Sequence, residues 1–424
     1  MSRKRGFTAV LSGRGGLAAV AGGLALAVTA GLSAAAAAPG RAAGHGTGWA
    51  RGSVVSSQRV AQLTRTQVDG YVQGGGFGSP AARHGVSMYR IVYRTVSPQG
   101  KPDTASGVLA LPADPQRVVQ AVEFGHGTMV ARADAPSVSA GDRREVALFA
   151  GAGYAAVEPD YLGLGLGPGH QPYLDPAAET SASVDMLRAA SAIAAREHRR
   201  LASRVLVTGF SEGGQAAMAL GRALQRGAVR PMRLGAVAPV SGPYDVLGAQ
   251  LPASLSSSGP LNPKLAAFYL SYWVVSSNWF HHLYTSPHQV FRAPYAATVP
   301  GLEDGRHSDL QVLAALPASP RQLFTAAFLR QLGHPGGELL RLIRADDVTC
   351  TSWVPRAPVR LYAAHADTQV AYQNSVSCQR ALRAHGRDVP LIDLGALDHF
   401  PSERAGLPRV LAWFEQLQPP GATS

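Results

Sequence analysis

One serine stands among glycines in Gly209-Phe210-Ser211-Glu212-Gly213-Gly214, and Asp367 and His399 follow it far down the chain. A serine hydroxyl is a weak nucleophile on its own. It becomes reactive when an imidazole takes its proton and a carboxylate holds that imidazole in the right tautomer. The chemistry these three residue types perform together is acyl transfer through a covalent acyl intermediate. The tetrahedral state on that route carries a negative oxygen that needs two N–H donors. Glu212 N–H, at the start of a helix, is one expected donor. The stretch "FGHGT" over 124–128 supplies the other, with Thr128 N–H as the natural group and Gly127 as the fallback.

Such residues must be positioned by strand ends. "RVLVT" (204–208) reads as a strand, and the residues from 213 to 226 read as a helix, so Ser211 occupies the tight turn between them. A turn that tight forces the serine to a positive φ and needs small neighbours, which Gly209, Gly213, Gly214, Ala216 and Ala217 provide. Asp367 falls just beyond an expected strand at 359–364, and His399 just beyond one at 389–394. The order serine, acid, histidine, each at a strand end, is the one a parallel α/β sheet of this kind requires. Rival groups are placed less well. His365 precedes the acid position, Asp398 adjoins His399, and Asp346 and Asp347 fall before the strand.

The rest of the chain supplies that sheet. A β-hairpin is expected over 86–113, then strands at 118–124, 154–160 and 234–240, alternating with helices at 143–153 and 179–196. A last helix is expected at 406–417. Strands alternating with helices predict a mostly parallel sheet flanked by helices on both faces. After Asp245 the rhythm stops for about 100 residues and resumes near 358, which predicts a helical cap inserted over 247–346. The hydrolytic core is then 86–246 and 347–424. Residues 44–85, rich in Gly and Ser, read as irregular, with one short helix at 55–68. Glu123 and Glu158 sit in neighbouring apolar strands and are expected to form a buried structural pair that shares a proton.

The ends and the composition set bounds. The chain has 424 residues and a formal charge of +12, of which +4 (Arg3, Lys4, Arg5, Arg14) lies in the first 40 residues. Residues 15–38 then carry no charge, and small residues lead out of them, so residues 1–43 read as a signal peptide with a short linker. The expected location is therefore extracellular. The remaining basic excess is scattered Arg without a dense run, which argues against a nucleic-acid partner. Cys350 and Cys378 are the two cysteines, and export predicts a disulfide between them.

"GHGT", "EPDYLGLG" (158–165), "SASVDMLRAA" (181–190), "GFSEGGQAA" (209–217), "HADTQV" (365–370) and "DHF" (398–400) together resemble the secreted lipase/esterase branch of the α/β-hydrolase superfamily. Within it they are similar to the secretory lipase family that includes the fungal A-type lipases. The resemblance covers 86–246 and 358–416, roughly half the chain. It implies an α/β-hydrolase fold, hydrolysis of carboxylic esters of small or lipid molecules, transient contact with lipid interfaces, and no cofactor. The inserted cap carries an aromatic cluster, Phe268, Tyr269, Tyr272, Trp273, Trp279, Phe280 and Tyr284, which suits either a core or a wall against acyl chains. No metal site is expected, since nothing is spaced to join His281 and His282 as ligands. The competing reading is an aminopeptidase of the same fold, which needs cap carboxylates to hold an amino group. The cap has few: Glu303, Asp304, Asp309 and Glu338, with Asp346 and Asp347 at its edge. A non-catalytic binding protein would lack a member of the triad, and none is missing.

Overall fold

The computed structural model describes residues 49–78, 81–113 and 116–421. The expected signal peptide lies outside the described residues. The chain parts into Met1–Ala50 and Arg51–Ser424, and the second unit carries the architecture below. Its strands are β1 (Val54–Leu63), β2 (Val86–Val96), β3 (Pro102–Pro112), β4 (Val118–Gly125), β5 (Ala155–Pro159), β6 (Arg200–Phe210), β7 (Arg233–Val240), β8 (Leu361–Ala363) and β9 (Leu391–Asp393). Among the described residues these form one sheet in the order β1-β2-β3-β5-β4-β6-β7-β8-β9. The pairs β1–β2, β2–β3 and β3–β5 are antiparallel, and every pair from β5–β4 to β8–β9 is parallel. The protein has the α/β-hydrolase fold.

Burial explains why these segments form a covered sheet. β4 and the second half of β6 are buried on both faces, as parallel strands between two helix layers must be. The main helices are α1 (Arg65–Gly74), α2 (Arg144–Gly151), α3 (Pro176–Arg196), α4 (Glu212–Gln225), α5 (Pro263–His281), α6 (Gly337–Asp346), α7 (Gln373–Ala384) and α8 (His399–Leu417). On one face Met186 of α3, Met218 of α4 and Leu382 of α7 join Ala121, Val157, Val207 and Leu361 of the sheet in one buried cluster. On the other, Val68 of α1, Phe149 of α2 and Phe414 of α8 pack on Val122, Ala156 and Leu206. Each such side chain, fully buried, contributes about 1.5–3 kcal/mol. The sheet ends that carry the site are thereby fixed from both sides.

Residues 44–85 depart from the irregular reading. Most of the segment expected as a helix at 55–68 is strand β1, antiparallel to β2 from Val54↔Tyr93 to Leu63↔Val86 with irregularities at Val54/Ser56 and Arg59/Ala61. As an edge strand it leaves most of its side chains exposed, so it lacks a strong alternating signal. The helix begins later. Thr64 caps α1 through a capping box with Gln67, a spacing already visible in Thr64-Arg65-Thr66-Gln67.

The inserted segment builds a third apolar core of its own from Phe268, Phe291, Phe324, Phe328 and Leu342. Its longest helix, α5, starts where Asn262 accepts hydrogen bonds from Lys264 N and Leu265 N and Pro263 takes the first helical position. Two residues at its edge tie it to the rest. Asp347 accepts from Val246 N and Leu247 N, and the Asp346 carbonyl accepts from Gln215 of α4.

Candidate active site

Ser211 follows β6 and precedes α4 with φ 57° and ψ −122°, a strained backbone for a residue with a side chain. The glycines around it are required sterically. A Cβ on Gly209 would collide with Gly213 O, and one on Gly213 would collide with Gly125 O. β4 and the start of α4 thus touch through bare backbone, and the serine projects from the crossing point.

His399 meets that serine. It is the first residue of α8 and is held there by Asp398, which caps the helix by accepting from His399 N at 2.8 Å. The helix therefore starts seven residues earlier than the sequence pattern indicates. His399 Nδ1 lies 2.7 Å from Asp367 Oδ2, and its Nε2 lies 2.9 Å from Ser211 Oγ. The carboxylate fixes the tautomer with the proton on Nδ1, so the Ser211 hydroxyl donates to Nε2. All three side chains are buried. The other oxygen of Asp367 accepts from Gln369 N at 2.8 Å and Val370 N at 3.0 Å, which holds the carboxylate in place. The rival groups are engaged elsewhere. His365 pairs with Asp393 at 2.8 Å, Asp398 caps α8 and also accepts from Thr368, and Asp346 and Asp347 serve the cap.

The loop after β4 lies against the serine. A Cβ on Gly127 would stand 3.2 Å from the Phe210 ring and 3.4 Å from Ser211 Cβ, so the loop packs close against the serine turn. Burial pushes the His126 imidazole below its usual value, and its Nδ1–H donates to Gly127 O at 2.8 Å. In a trans peptide the carbonyl and the next N–H point opposite ways. Gripping Gly127 O on one side therefore turns Thr128 N–H to the other. Thr128 Oγ1 is 2.9 Å from Tyr173 Oη.

A second carboxyl network lies behind the site and was not foreseen. Gln171 Nε2 donates to Glu212 Oε1 at 2.7 Å, and Tyr272 of α5 donates to Gln171 Oε1 at 2.6 Å. Glu179 of α3 faces Glu212. Burial pushes Glu212 up to about 8, and burial together with the Glu212 charge pushes Glu179 well above the usual carboxylate range. The expected pair, Glu123 with Glu158, does not form. Register aligns Glu123 with Val157, so Glu158, one residue on, points to the opposite face of the sheet. Glu123 meets Ser183 of α3, and burial pushes it up to about 8. The expected disulfide is present: Cys350 and Cys378 are bonded, with Cα atoms 5.3 Å apart.

An apolar cavity opens beside Ser211 and Glu212, walled by Leu251, Tyr269, Leu270 and Trp273. Phe268, Tyr269, Tyr272 and Trp273 all join the cap core, and two of them, Tyr269 and Trp273, also face the cavity.

No family model and no curated protein matches the chain. Solved structures do. A rice cell wall degrading esterase, LipA of Xanthomonas oryzae, aligns over 87% of this chain and 98% of its own at 28% identity and a TM-score of 0.78. A putative hydrolase of Legionella pneumophila aligns over 86% and 98% at 26% identity and a TM-score of 0.79. Candida antarctica lipase A in its closed state, at 16% identity, TM-score 0.59 and coverage of 84% and 79%, shares the fold. With that sheet, that strained serine turn and these neighbours, the chain has the α/β-hydrolase fold and resembles solved hydrolase and esterase structures of that fold.

Proposed function

We propose that the protein is a secreted serine hydrolase that cleaves carboxylic esters through an acyl-enzyme. The observation that carries this reading is the continuous hydrogen-bonded line from Ser211 Oγ to His399 at 2.9 Å and on to Asp367 at 2.7 Å. Ser211 attacks the ester carbonyl while His399 Nε2 takes its proton. Asp367 stabilises the imidazolium without accepting the proton. Thr128 N–H and Glu212 N–H, the latter at the N-terminus of α4, hold the oxyanion. Collapse expels the alcohol with the proton from His399. Water, activated by the same imidazole, then releases the acid.

The apolar cavity beside Ser211 favours an ester with an apolar acyl group. The aminopeptidase alternative loses support, because the cap acids have other partners. Glu303 accepts from Ser271, Asp304 pairs with His307, Asp309 accepts from Val130 N, and Glu338 pairs with Arg341. Assaying p-nitrophenyl esters of acetate to palmitate beside amino-acid anilides tests the reading. Ester turnover is expected with no anilide turnover, and Ser211→Ala should lower kcat by about 10⁴-fold or more. Anilide cleavage that outpaces ester cleavage would replace this reading by the peptidase one. N-terminal sequencing of the mature protein from culture medium checks the export.

A further inference from the structure

The cavity beside Ser211 holds about 630 Å³ of empty space, its open mouth included. Behind it, between α5 and α6, lies a second cavity of about 460 Å³. Tyr173 and Trp273 line both, so these two side chains form the partition. The two spaces differ in chemistry. The first is walled by Val246, Leu251, Leu270 and Ile343. The second is lined by Asp175, Asp346, His281 and Arg341.

The partition is pinned. The Trp273 indole N–H donates to Asp346 Oδ2 at 3.0 Å, and the Asp346 carbonyl accepts from Gln215 of α4 at 2.8 Å. The helix that begins beside the nucleophile thus fixes the residue that fixes the tryptophan. Tyr173 is held by Thr128 at 2.9 Å and by Ser276 Oγ, which accepts from Tyr173 N at 2.9 Å. Trp273 is only 6% exposed, and reorienting it would leave Asp346 without its donor. It acts as a fixed wall.

We infer that Trp273 is the residue that sets the length of acyl chain the enzyme accepts, because it closes the apolar cavity at the face where the polar cavity begins. The inference rests on the ester-hydrolase reading. Each acyl methylene that finds apolar room should raise kcat/KM by about fourfold. A methylene that meets the indole gains nothing and must displace a packed ring. The first cavity also has to hold the ester group and the alcohol, so kcat/KM stops rising at the chain length that brings the acyl terminus to the indole.

The test is the kcat/KM profile over p-nitrophenyl acetate, butyrate, hexanoate, octanoate, laurate and palmitate. Wild type should climb with chain length, peak where the acyl terminus meets the indole, and fall again before palmitate. Trp273→Ala should raise the laurate-to-butyrate ratio by about tenfold or more. Ser277→Trp alone, which fills the second cavity from α5, should keep the wild-type profile. Combined with Trp273→Ala it should cancel the gain, since the added room is that cavity. Trp273→Phe, a smaller cut that keeps a ring, should move the ratio the same way by less, and it serves if the alanine variant does not fold. An unchanged ratio in a folded variant, or wild-type cleavage of palmitate as fast as butyrate, overturns the inference while leaving the ester reading intact. Absence of all ester turnover in wild type removes both.

Discussion

At the scale of single residues, the account depends on Asp367 presenting a carboxylate to His399. Asn in its place would still accept from Gln369 N and Val370 N through its oxygen. Its amide would then donate to Nδ1 and force the proton onto Nε2, where it blocks acceptance from Ser211. Asp367→Asn should therefore lower kcat by about 10⁴-fold with little change in KM or melting temperature. Steady-state kinetics with calorimetry check this, and a kcat within tenfold of wild type would contradict it. Ser211, Asp367 and His399 were legible because each lies at a strand end, in an order set by the sheet. Glu179 was not. It lies in α3 among alanines and acquires meaning only from facing Glu212, which no local spacing announces. Glu123 and Glu158 misled for a related reason: neighbouring strands bring residues together only in register, and one residue of offset turns a side chain to the other face.

At the scale of elements, the bridge between Cys350, in the helical turn Val348–Thr351, and Cys378 of α7 closes a 28-residue separation. Asp367 lies inside it, on the loop between β8 and α7. In the chain-entropy model such a bridge stabilises by about 3–4 kcal/mol. β8 is three residues long and pairs with β7 through a single registered position, so the acid loop has little sheet to hold it. Cys350→Ser/Cys378→Ser should lower the melting temperature and hasten thermal loss of activity. Thermal inactivation of the double variant beside wild type checks it, and equal half-lives would contradict it. Strong elements such as β4 and β6 could be read from continuous apolar runs. β1 could not, because on an exposed edge strand its apolar and polar residues fall without regular alternation. The start of α8 was placed late because Asp398 caps it just where the histidine pattern suggested a loop.

At the scale of the whole molecule, buried carboxyls couple stability to pH. Glu123, Glu212 and Glu303 are each raised from 4.5 to about 8, chiefly by burial. Folded, they hold protons that the unfolded chain releases near 4.5, so the stability they give is full below 4.5 and is lost as pH rises to about 8. His126 and His170 are lowered from 6.5 by burial and act in the opposite sense, below 6.5. The melting temperature should therefore fall between about pH 6.5 and 8. Glu303→Gln, which keeps an acceptor for Ser271 in the cap, should flatten that fall. An equal slope in the variant would contradict the assignment of Glu303. The proposed mechanism assigns the reaction to one hydroxyl, Ser211, which stands on a strained turn at the end of β6. Incubating the folded protein with a p-nitrophenyl alkylphosphonate and mapping the adduct by peptide mass spectrometry tests this most directly. The account predicts one phosphonyl group per chain, on Ser211, with ester hydrolysis lost in step with labelling. An adduct on any other residue with loss of activity, or full labelling of Ser211 with activity retained, would contradict it.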